Sequence, residues 1–360
     1  MPMPAQPRHC LLLLMAAAVA ALVTAPHARA SGETPAQSDT VLATVLVTGD
    51  QPGPGLWRIR KGDNSFWLLG TVSPLPRRMR WMSDEVEGRI ALSQVVIFPP
   101  TLRFESGIGR VRGLFLLPSL LKARNNPEGV LLADLLPPEL YSRWQALKAR
   151  HMPRNRSVER WRPLFAADRL YSEAIKGEGL RAGGVVGPVV ERAARRNDVP
   201  TEQPAVEIRI EDPRGLLRRF SQTALADTEC LDLTMARLEQ DLDRMRERAN
   251  AWAVGDLDRL LALAGVDPGR ACFDAVLQSS LIAELGQEGL PERLRDAWLE
   301  AVDAALAAHA TSFGIMPMNL MLGEDGVLAV LTARGYTVDP PDAADAGTLE
   351  AGADPESAPD

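Results

Sequence analysis

Two apolar-alternating runs, Leu56–Arg60 and Ser65–Leu69, flank the turn residues Lys61-Gly62-Asp63-Asn64. This pattern predicts a β-hairpin. The second run, Phe66-Trp67-Leu68-Leu69, stops at Gly70 and gives way to Thr71, Val72 and Ser73, with Pro74 and Pro76 close behind. It reads as a buried strand whose C-terminal end opens into a tight, rigid loop. Strand ends of this kind are where α/β folds place their chemistry.

Further elements follow along the chain. Helical spacing of Val86 and Ile90 predicts a helix within Arg80–Ser93, and Gln94–Phe98 reads as a short buried strand stopped by Pro99-Pro100. Residues 107–200 read as mostly helical, with one helix from Pro138, one over Ser157–Ile175 and one over Gly184–Arg196. Pro204–Ile210 alternates as a strand. Leu231, Met235, Leu238, Leu242, Met245, Ala249 and Trp252 form a stripe that predicts one long helix over Asp227–Val254. Helices are expected at Asp274–Ala283 and Glu292–His309, an extended apolar stretch over Thr311–Leu322, a helix over Val327–Ala333 and a last strand at Tyr336–Val338. The expected fold class is α/β. A central mixed sheet of five to seven strands is flanked by helices, with a large helical region between early and late strands and the N- and C-terminal strands side by side.

Residues 1–30 carry Arg8, the apolar run Leu11–Val23 and Ala28-Arg29-Ala30, the pattern of a signal peptide cleaved near Ala30. Residues 31–50 read as a polar linker preceded by that leader, 51–340 as the domain, and 341–360 as a disordered acidic tail. The expected location is periplasmic or secreted in a bacterium, with no membrane span in the mature chain. Without the leader, 38 Lys and Arg (40 less Arg8 and Arg29) face 47 Asp and Glu. That balance argues against a nucleic-acid partner, which needs a basic face for phosphates. Cys230 and Cys272 alone remain after cleavage and invite a disulfide in an oxidising compartment. Closing a loop of that length contributes roughly 3–4 kcal/mol in the chain-entropy model.

Three places resemble the TraB/GumN family, related to the Tiki-type metallohydrolases. They are Leu56-Trp57 with Leu69-Gly70-Thr71; Glu229-Cys230-Leu231 with Ala251-Trp252-Ala253-Val254-Gly255-Asp256-Leu257; and Gly323-Glu324-Asp325-Gly326-Val327-Leu328 with Leu331–Val338. The resemblance runs from about Leu56 to Asp339. It implies a metal hydrolase in which two Gly-x-x-His motifs and an acidic strand end gather a divalent ion that activates water. In this chain the first histidine position holds Ser73. At the second, Pro317 stands at the glycine and Leu320 at the histidine, with Asn319 one residue off. The acidic strand end reads Ile97-Phe98-Pro99. A hydroxyl, an alkyl chain and a phenyl ring are poor or absent donors to a metal.

The chain therefore reads as a divergent member and pseudoenzyme with a vestigial pocket around Gly70, Thr71, Ser73, Asn319 and Gly323. No cofactor is expected, and the partner would be a peptide or envelope component. The alternative is an active hydrolase or peptidase whose rearranged site uses a divalent metal and acids among Asp63, Glu324, Asp325 and Asp339. A third possibility is a helical interaction module built on the Asp227–Val254 stripe. A serine nucleophile at Ser73 lacks a Gly-x-Ser-x-Gly elbow, and His151 and His309 lie at helix ends. Gly107, Gly109 and Gly113 miss the dinucleotide spacing by one residue. Arg218-Arg219 and Arg192, Arg195 and Arg196 read as solvated helix faces.

Overall fold

The computed structural model describes residues 50–106, 117–222, 227–263 and 289–341, all within one compact unit. The leader, the acidic tail, the expected Asp274–Ala283 helix, the loop at Gly107–Gly113 and Cys272 lie outside these residues. The strands are β1 (Asp50–Gln51), β2 (Leu56–Lys61), β3 (Asn64–Thr71), β4 (Leu75–Pro76), β5 (Arg80–Trp81), β6 (Val96–Ile97), β7 (Thr101–Ser106), β8 (Leu180–Arg181), β9 (Thr201–Glu202), β10 (Ala205–Ile210), β11 (Thr311–Pro317) and β12 (Thr337–Asp339). Nine helices matter below: α1 (Asp84–Ala91), α2 (Pro138–His151), α3 (Pro163–Gly177), α4 (Gly187–Arg196), α5 (Asp227–Gln240), α6 (Leu242–Val254), α7 (Leu290–Ala308), α8 (Met318–Met321) and α9 (Val327–Ala333).

The protein is α/β, built on a six-stranded mixed sheet in the order β12-β2-β3-β11-β6-β9. The hairpin β2–β3 pairs Lys61 with Asn64 across Gly62-Asp63, and Gly62 takes φ +60°. A positive φ at the first central residue of a two-residue loop suits the twist of a hairpin and favours glycine there. From β3 onward the neighbours β11, β6 and β9 run parallel. The last strand, β12, lies antiparallel against β2, so the early and late strands are side by side as expected.

Parallel interior strands must be apolar on both faces. β3 and β11 obey this over Phe66–Gly70 and Phe313–Met316, all buried. Their faces interlock at Gly314. A Cβ there would stand 2.4 Å from Phe66 Cζ, so the missing side chain is the space the Phe66 ring fills. That ring meets Trp298 of α7 edge-on, with centroids 6.0 Å apart.

Beyond the sheet, β7 and β10 pair in parallel with Thr101 opposite Ala205. They continue β6 and β9 past Pro99-Pro100 and Gln203-Pro204. Proline has no N–H to give the ladder, and the break is held by Phe98 N–H to Glu202 O at 2.8 Å and Thr101 N–H to Pro204 O at 2.9 Å.

Three expectations need correction. The helix predicted across Asp227–Val254 is two helices, α5 and α6, with Asp241 at φ −122° between them. The continuous stripe serves two cores. Cys230, Leu231, Met235 and Leu238 join α2 and α3 in one cluster, whereas Met245, Ala249 and Trp252 face the sheet cluster. A kink lets each half turn toward its own neighbours, and the stripe is buried inside the protein rather than offered to a partner helix.

The helix expected over Ser157–Ile175 starts only at Pro163. Ser157–Arg160 is a short 3-10 turn, and proline disfavours helical backbone in the residue before it. The stretch Thr311–Leu322 leaves the sheet at Pro317 and coils into the single turn α8. The helix expected within Arg80–Ser93 runs over Asp84–Ala91, and Arg80–Trp81 ahead of it pairs in parallel with Asp50–Gln51. No helix of the described residues is long and apolar enough to cross a membrane.

Candidate functional site

The parallel strands deliver their C-terminal ends to one edge of the sheet. Met316 pairs with Gly70 and Pro317 with Thr71, so Val72-Ser73 and Met318-Asn319-Leu320 leave β3 and β11 side by side. On the other flank of β11, Ile97 pairs with Gly314, which puts Phe98 on the same side of the sheet. The fold thus brings the three positions implied by the family resemblance, Ser73, Leu320 and Phe98, to adjacent strand ends. Leu320 and Phe98 pack, partly buried, against the sheet core together with Val72.

What fills this edge is apolar. A Cβ on Gly70 would meet Met318 Cγ at 2.8 Å and Trp57 Cζ3 at 3.3 Å, so glycine is what lets Met318 fold down onto the strand end. Trp252 is fully buried, and its indole N–H donates to the Gly70 carbonyl at 2.8 Å. A buried indole needs such a partner. The far side of Trp252 meets Trp81 edge-on, centroids 5.7 Å apart. One helical turn before Trp252, Arg248 donates from Nη2 to the Ser73 carbonyl. The Ser73–Pro74 peptide is cis. Thus α6 reaches over the end of β3 with two side chains, one holding Gly70 and one holding Ser73.

The segment that carries Trp252 is itself locked in place. Gly255 closes α6 with φ +75° and N–H bonds back to Ala251 and Trp252. Gly53 donates to the Ala253 carbonyl at 2.9 Å, and a Cβ on Gly255 would stand 2.9 Å from the Gly53 carbonyl. The sequence marks this stretch as Trp252-Ala253-Val254-Gly255-Asp256. The apolar stripe signalled that Trp252 would be buried, but not that its N–H would cap β3 from 182 positions away.

The acids of the alternative site do not gather. Asp63 sits in the β2–β3 turn, at the opposite end of β3 from Thr71. Eight residues of strand put these ends roughly 25 Å apart, which corrects its expected place near the strand ends. Asp339 lies on the outer strand β12, bound to Arg60 at 2.8 Å. Glu324 and Asp325 do stand on the right side of the sheet, after α8, but both are exposed. Their loop is set by Gly323 at φ +95° and by Gly326, where a Cβ would stand 2.4 Å from the Met321 carbonyl. Among the described residues, no three of His, Cys, Asp and Glu are grouped so as to hold a metal ion.

The histidines lie elsewhere. His151 ends α2, its pKa lowered by burial and then by Arg150; His309 caps α7, just ahead of the N-terminal end of β11. Cys230 is buried on α5, while its expected partner Cys272 is outside the described residues.

A family model described as the TraB/PrgY/gumN family matches residues 55–340. No curated protein matches the chain, and no solved structure matches it.

Proposed function

The chain belongs to the TraB/PrgY/gumN family, and from that premise we propose that it is an exported, divergent member that acts by binding a peptide or envelope component, its ancestral hydrolase site having degenerated. The observation that supports this reading is the packed edge at the ends of β3 and β11. Met318 occupies the space over Gly70, the indole of Trp252 holds the Gly70 carbonyl, and the positions implied for metal ligands are Ser73, Phe98 and Leu320. A water-activating metal needs lone pairs at fixed points and an open coordination position. The indole of Trp252 is a donor only, and the thioether of Met318 is a soft ligand unsuited to a water-activating divalent ion. The leader at residues 1–30 supports an exported location.

The test is the metal content of the mature protein, purified from a periplasmic fraction without a histidine tag. The expected result is a folded protein with far less than one divalent ion per chain. A stoichiometric ion would overturn the reading, and Glu324 and Asp325 would then be the first acids to substitute, because they share the strand-end side of the sheet.

A further inference from the structure

Beside the packed strand ends the structure opens a cleft of about 420 Å³, lined by Arg77, Arg80, Trp81, Arg181, Val189 and Arg192 among others. That volume lies in the range of small-ligand sites, roughly 300–1,000 Å³. Its position is set by short pairings: β4 binds β8 with Leu75 opposite Arg181, β5 binds β1 with Arg80 opposite Asp50, and α4 closes the third side. The aromatic wall is Trp81, the same ring that meets Trp252 edge-on. The cleft therefore lies one layer of indoles away from Gly70, on the carboxyl side of the sheet where α/β proteins take ligands.

Four arginines from four separate elements converge on this cleft. The one acid in its lining is Asp50, which pairs with Arg80 at 3.0 Å. Among the described residues, Arg77, Arg181 and Arg192 make no ion pair. Their neighbours on α4 behave differently. Arg195 pairs with Glu191 and Arg196 with Glu87; all three arginines are exposed, as expected of a solvated helix face, and of the three only Arg192 lines the cleft. The Arg181 guanidinium lies against Gly184. A Cβ there would stand 2.0 Å from Arg181 Nη2, and φ is +71°; glycine is what lets the charge settle on the loop.

Unpaired like charges gathered in one concavity repel one another, and an anion relieves that repulsion while accepting bidentate N–H bonds from each fork. This happens in a chain that is acidic overall, at −7. We infer that the cleft between Trp81 and α4 binds a small organic anion carrying two or more phosphate or carboxylate groups. Arg77, Arg181 and Arg192 take the charges, and Trp81 and Val189 support the apolar part. The inference rests on the reading of the chain as a binding protein and names the ligand class for it.

The experiment is titration calorimetry of the mature protein with pyrophosphate, at constant ionic strength, for wild type and for Arg181→Gln, Arg192→Gln and Arg195→Gln. The expected result is saturable binding that falls about tenfold or more with Arg181→Gln or Arg192→Gln and does not change with Arg195→Gln. Equal affinity in all four proteins, or no binding by the wild type, overturns the proposal. Thermal midpoints equal to wild type exclude misfolding as the cause of a loss. A second arm floats the protein with phosphatidylglycerol–phosphatidylcholine vesicles. Release by pyrophosphate supports a small-anion site, and vesicle binding that pyrophosphate leaves intact overturns it in favour of a membrane surface. A bound metal would sink the degenerate-site reading without touching this result, while indifference to Arg181 and Arg192 would sink the anion site alone.

Discussion

Replacing Trp252 with Phe tests whether α6 holds the end of β3. The substitution removes the indole N–H that reaches the Gly70 carbonyl at 2.8 Å and part of a ring that is fully buried. A hydrogen bond of this kind contributes about 0.5–1.5 kcal/mol net. Truncating a buried Trp or Phe to Ala costs about 3–5 kcal/mol, and Phe retains more than half of the indole, so the packing loss is about 1–2 kcal/mol. The expected total is about 1.5–3.5 kcal/mol, which lowers the melting temperature by about 3–14 °C in a domain of this size.

The assay is urea unfolding followed by circular dichroism, together with native-state hydrogen exchange. Exchange adds position: amides of Gly70–Val72 lose protection first, because the donor that holds the Gly70 carbonyl has gone and the strand end frays, while the middle of β11 stays protected. A variant within about 0.5 kcal/mol of wild type, or uniform loss of protection across the sheet, would refute the idea that Trp252 fixes the strand end.

Three further outcomes follow from the packing. Gly314→Ala forces a methyl within 2.4 Å of Phe66 Cζ in a ring pair that is fully buried, and the expected cost is about 1–3 kcal/mol by denaturant unfolding; Phe66→Leu in the same chain should recover part of it. Asp227→Asn leaves Arg162, 4% exposed and bound to Asp227 at 2.7 Å, as a buried cation without its carboxylate, for an expected loss of about 3–5 kcal/mol; the double variant Arg162→Met, Asp227→Leu should be far less damaged. His151 has its pKa lowered below 6.5 by burial, with Arg150 adding to the effect. The unfolded chain therefore takes the proton first, so stability falls as pH drops below about 6.5 and through the lower folded value. His151→Gln should flatten that slope in thermal melts taken across that window.

Much of the frame was legible in the chain itself. The hairpin came from alternation around Gly62-Asp63, the buried strand from Phe66–Leu69, and the last helix and strand from Val327–Ala333 and the glycine that follows. Each of these signals is local, since two or four residues suffice to state which side chains share a face. The positions implied for metal ligands were likewise read from Ser73, Phe98 and Leu320, because a residue type is a fact of the sequence.

The sequence could not place what depends on contact between distant segments. Nothing local says that the stripe of Asp227–Val254 divides at Asp241, because either half would look the same packed on one core or two. Nothing local says that Trp252 ends beside Gly70, or that Asp63 stands at the wrong end of the sheet for a site with Glu324. The cleft of Arg77, Arg181 and Arg192 was least visible of all. Its arginines come from a turn, a strand and a helix, and one of them lay in a run of arginines whose other members pair with acids. Helical and strand periodicity are fixed by covalent geometry over a few residues, whereas the convergence of charges on a concavity is decided only when the sheet order β12-β2-β3-β11-β6-β9 is set.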